Sequence, residues 1–65
     1  MTPEELRSRR AALGLSQLAI AERLGIPRNT WARWERGELA VEKPVLLGLA
    51  LEALAARAGG ERAAG

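Results

Sequence analysis

The chain has 65 residues, a formal charge of +2, and 48% hydrophobic and 28% charged residues. That length allows one domain, near the lower limit at which an apolar core holds a fold without staples. Cysteine, histidine and aspartate are all absent, which excludes disulfides, thiolate zinc sites and a thiol nucleophile, and leaves an active site without the usual general base. The expectation is a binding protein rather than an enzyme, with no cofactor and no metal.

The opening MTPEELRSRR has no apolar run of signal-peptide length, and no later run is long enough to span a bilayer. A cytoplasmic protein without membrane contact is expected. Thr2-Pro3-Glu4-Glu5 reads as a helix start. Thr2 can accept from the Glu5 amide, Pro3 fills the first helical position where its missing N–H is harmless, and both glutamates suit the positive end of the helix dipole. This first helix should run to Leu13 and stop at Gly14. Within it Arg10 lies four residues after Leu6 and three before Leu13, on the face that must pack inward. It therefore needs a carboxylate or an escape to solvent, and Glu35 is the best candidate partner. Arg7 and Arg9 read as solvated charge.

From Ser16 to Gly37 the sequence SQLAIAERLGIPRNTWARWERG reads as two short helices joined by a tight turn, a helix-turn-helix. Ser16 is a good N-cap for the second helix. Ile20, Leu24, Ile26, Trp31 and Trp34 recur at helical spacings along one buried seam. Small Ala21 permits close approach, and Gly25 supplies the positive-φ position that turns the chain. Pro27 disfavours helix at Ile26, so the third helix starts at about Pro27 or Arg28 and runs to about Arg36. Trp31 and Trp34 face the core, leaving Arg28, Asn29, Ala32, Arg33 and Arg36 on the outer side. Residues 23–36 carry four arginines against Glu35, a local charge of +3, which is the electrostatic signature of a polyanion contact.

Glu38 to Lys43 forms a connection, and Pro44 opens a fourth helix, VLLGLALEALAARA, that is apolar nearly all round until Glu52. Two stripes are distinguishable: Leu46, Leu49, Ala50 and Ala53, and Leu47, Leu51, Leu54 and Ala58. One faces the core and the other a second chain; Leu47, Leu51 and Leu54 are the expected dimer contacts. Gly48 hints at close backbone packing. The domain is expected to end at Ala58, with residues 59–65 a flexible tail.

The segment LGLSQLAIAERLGIPRNTWARWERGE resembles the lambda-repressor-like, or XRE, helix-turn-helix domain, and with flanking helices the resemblance covers about residues 2–57. It rests on LGLSQ opening the second helix, on Ala21 and Gly25, and on WERGE closing the third. The resemblance implies an all-α, compact four-helix bundle and a dimeric regulator, most often a repressor, that binds double-stranded operator DNA. Transferred by position, Arg28, Asn29 and Arg33 face base edges, with Ala32 either touching a thymine methyl or allowing close approach. Gln17, Arg36 and Lys43 contact phosphate. Arg10 and Glu35 match a pair that many members use as a buried ion pair.

The chain also departs from the family pattern. Pro27 replaces a Ser or Thr cap, Trp31 an aliphatic residue, and Ala19 a glutamate. Too few residues follow Ala58 for the fifth helix that carries the dimer contact in several relatives, so helix four would take that role. The expected function is a homodimeric regulator reading a palindromic operator through the third helix. The alternative is an antitoxin or phage-type adaptor whose main partner is a protein bound through helix four.

Overall fold

The computed structural model describes residues 1–64, and the side chains of residues 1–58. Four helices follow one another, α1 (Pro3–Leu13), α2 (Gln17–Leu24), α3 (Arg28–Glu35) and α4 (Pro44–Ala64), with no strand among the described residues. The fold is the all-α helix-turn-helix expected from the sequence.

Local chemistry sets most of these boundaries. The Thr2 hydroxyl accepts from the Glu5 amide at 3.1 Å, and the Ser16 hydroxyl accepts from the Ala19 amide at 3.0 Å. Each satisfies one of the amides a helix start leaves without an intrahelical partner. Pro27 stands where α3 would take a side-chain cap, and no side chain caps that helix. Its fixed φ sets the extended entry instead, at φ −64° and ψ 138°. Gly25 ends α2 at φ 70°, a left-handed conformation that costs other residues about 1–2 kcal/mol. This lets the chain reverse into α3 within three residues.

The buried core consists of Leu6 of α1, Ile20 and Ala21 of α2, Trp31 of α3 and Leu51 of α4. Around it pack Met1, Leu13, Leu15, Leu24, Ile26, Trp34, Val41, Leu47 and Leu54. Trp31 is fully enclosed, whereas Trp34 is half-buried and meets it edge-on, with ring centroids 5.7 Å apart and an interplanar angle of 65°. Helix α1 packs against both α3 and α4, and α2 packs against α3. The helix-turn-helix thus rests on a base formed by the first and last helices.

One expectation about α4 is corrected here. Leu47, Leu51 and Leu54, expected at a dimer interface, face their own core: Leu51 is buried and the other two pack against it. The exposed row is Val45, Leu46 and Leu49. Both stripes share the helical period, and the core takes the one with three leucines in register with α1. The backbone of α4 runs past Ala58 to Ala64. No proline interrupts that stretch. The side chains of the expected tail, 59–65, lie outside the described residues.

Gly48 does not mark a tight backbone approach. A methyl group there would meet only the Met1 side chain, at 3.6 Å, an ordinary contact.

Candidate nucleic-acid interface

The outer face of α3 is held in place from behind by one carboxylate. Glu35 is the sole buried charged residue among those described, with 3% of its surface exposed. A carboxylate taken out of water must be paired and hydrogen-bonded. Glu35 achieves this with three helices. Arg10 of α1 donates through Nε to Oε2 at 2.7 Å and through Nη2 to Oε1 at 3.1 Å, a two-pronged pair. Gln17 of α2 donates from Nε2 to Oε1 at 3.3 Å, and Trp31 of α3 donates its indole N–H to Oε2.

Burial alone would push the Glu35 carboxyl above the usual glutamate range. The hydrogen bonds from Arg10, Trp31 and Gln17, with the Arg10 charge, outweigh it and hold the carboxyl below that range. The Glu35 bond holds the Arg10 guanidinium above its ordinary value. Arg10 also donates to the Leu15 carbonyl at 3.1 Å, tying α1 to the loop before α2. Among the described residues, no buried polar side-chain atom lacks a partner.

This arrangement changes the charge seen from outside. Glu35, the one acid among residues 23–36, points inward and is matched by Arg10. Arg23, Arg28, Arg33 and Arg36 all remain exposed, and Asn29 is exposed beside them. Ala32, half-buried between Arg28 and Arg36 along α3, keeps the face low. The face therefore presents guanidinium and amide donors on a rigid helix, the groups suited to base edges and phosphates.

The remaining sequence-predicted residues lie in different surroundings. Gln17 is half-buried at the first position of α2, next to the exposed Ser16 cap, with its side-chain N–H directed at Glu35. Arg36 follows α3 and pairs with Glu38, both side chains about half exposed. Such a pair on the surface contributes little stability and opens readily. Lys43 is exposed at the start of α4, on the rim of a groove to which α3 contributes Thr30 and Trp34.

Sequence reasoning missed three contacts. Arg7, read as solvated charge, donates to the Glu35 backbone carbonyl at 2.9 Å and so binds the carboxyl end of α3, where a cation is favoured. The Gln17–Glu35 bond was also missed. Trp31 and Glu35, four residues apart on one helix, could have signalled the indole bond; the other two depend on how separate helices cross.

A family model described as a helix-turn-helix domain matches residues 4–64. No curated protein and no solved structure matches the chain. Among the described residues, no helix is long and apolar enough to cross a membrane.

Proposed function

The chain belongs to a helix-turn-helix domain family of the lambda-repressor-like type, a DNA-binding family, and from that premise we propose that it is a sequence-specific, cytoplasmic transcriptional regulator. It acts as a homodimeric repressor and reads a palindromic operator. Helix α3 lies in the major groove, where Arg28 and Arg33 donate to guanine, Asn29 pairs with adenine, and Ala32 admits the base edges. Gln17, at the positive end of α2, and Arg36 and Lys43 grip phosphates.

The observation that carries this reading is the outward face of α3, with three exposed donor side chains on a helix anchored from behind by Trp31 and Glu35. Freely rotating arginines would bind any polyanion. Arginines on a helix fixed to two neighbouring helices by one carboxylate can hold a register, and register is what base readout requires.

The test is a comparison of binding profiles over a randomised duplex library. Arg33→Ala should relax preference at one base position by about 1–3 kcal/mol. Arg36→Ala should weaken binding evenly across sequences and lower the salt slope by about one. Glu38→Gln, which releases Arg36, should tighten binding evenly. A profile for Arg33→Ala identical to the parent's would remove Arg33 from the readout.

A further inference from the structure

The connection between α3 and α4, residues 36–43, has a hollow on either side. On one side lies an open groove of about 550 Å³, to which α2 contributes Leu24, α3 Thr30 and Trp34, and α4 Leu46, Leu47 and Ala50. On the other a hollow of about 360 Å³ reaches Met1, Pro3 and Leu6. Leu39, Ala40, Val41 and Trp34 line both, so a three-residue strap and one aromatic residue form the wall between them. We propose that the larger groove is an effector site, which takes a neutral, largely apolar ring compound against Trp34 and, when occupied, lowers the affinity for DNA.

The lining selects the chemistry of the occupant. Apart from Thr30, Glu42 and Lys43, every residue of the groove is apolar or aromatic. An apolar hollow of this volume with a few polar groups at its edge has the make-up of a small-molecule site, which typically spans roughly 300–1,000 Å³. Glu42 and Lys43 are neighbours in the chain, both exposed and opposite in sign. An anion or a cation therefore meets one attraction and one repulsion at this rim, and must also give up its own hydration, whereas a neutral molecule does neither. Trp31 is fully enclosed, but Trp34 is half-buried. The open part of that indole offers a flat apolar surface against which a second ring packs well.

The strap links occupancy to DNA. Among the described residues, Leu39, Ala40, Val41 and Glu42 make no backbone hydrogen bond, so side-chain packing alone holds this segment, and a segment held in that way shifts at low cost. A ring seated against Trp34 pushes the strap toward the smaller hollow, which has room to receive it. Arg36 and Lys43, the phosphate contacts proposed above, flank the strap at its two ends. Moving it shifts both cations relative to α3, and the occupied protein grips phosphate less well. By linkage, DNA must weaken binding of the compound by the same factor. This coupling rests on the DNA-binding reading above; the site itself does not.

The experiment uses two fluorescent probes with the same rings, neutral N-phenyl-1-naphthylamine and its anionic 8-sulfonate. The neutral probe should bind the parent at one site per chain and more tightly than the sulfonate. Leu46→Gln, at a position 61% exposed on the groove edge, keeps the fold and should weaken that binding about tenfold. Ala50→Phe, which fills the groove, should abolish it. Val45→Gln, 77% exposed and outside the lining, should leave it unchanged. Preference for the sulfonate, unaltered binding by Leu46→Gln, or an equal loss in Val45→Gln would overturn the site. So would probe affinity that falls as protein concentration rises, which would give the groove to a second copy. Anisotropy of a labelled duplex at low salt then reads the coupling: saturating neutral probe should lower the parent's DNA affinity by about fivefold or more. Unchanged DNA affinity with the groove occupied would overturn the regulation and leave the site standing. A duplex left unbound even without probe would overturn the DNA-binding reading and the coupling together, again leaving the site.

Discussion

One carboxylate, Glu35, receives donors from α1, α2 and α3, so its loss should be felt in both stability and binding. In Glu35→Gln, Arg10 loses its charge partner and faces an amide with one acceptor. The variant should lose about 2–3 kcal/mol, at or below the low end for a broken buried pair because the Arg10 side chain remains 23% exposed. The pH dependence has a definite sign. The folded pKa of Glu35 lies below its unfolded value. The stabilisation is therefore complete above about pH 4.3, the unfolded glutamate value, and is lost as pH falls toward and through the folded one. Urea denaturation between neutral pH and pH 3 should show a steeper acid loss for the parent than for Glu35→Gln. Parallel curves would mean that the carboxylate is not the acid-sensitive group.

At the scale of elements, two glycines have opposite expected responses to the same substitution. Gly25 has open space around it but sits at φ 70°, so Gly25→Ala should destabilise by about 1–2 kcal/mol through backbone strain alone. Gly48 lies inside α4 with ordinary backbone angles and only the flexible Met1 side chain nearby. Gly48→Ala should stabilise by up to about 1 kcal/mol through helix propensity. Thermal melts of the two variants on either side of the parent would check both. These helix boundaries were legible in the sequence because their causes are local: Thr2, Pro3, Ser16, Gly25 and Pro44 each act on amides or dihedrals within a few residues. The facing of α4 was not legible. Its two stripes have the same period, and the choice between them depends on where α1 lies. Arg10 and Glu35 could be matched because an inward arginine needs an acid and Glu35 lies four residues past the inward Trp31. The bonds from Gln17 and Arg7 to Glu35 depend on the crossing of helices distant in sequence.

For the whole molecule, the small net charge of +2 conceals a division of surfaces. Glu35, the one acid within α3, is turned inward, leaving a basic face, and α4 leaves an uncharged apolar one. A domain this small has little surface to spare, and its basic face suits contact with DNA. The central claim is that the outer face of α3 reads sequence and does not merely attract phosphate. Selection of bound duplexes from a randomised pool at physiological salt tests it most directly, because electrostatic attraction without base readout enriches nothing. The account predicts an imperfect palindrome whose half-sites are centred roughly 10 base pairs, or a multiple of that, apart. A pool that stays random while the protein still binds DNA at low salt would contradict it.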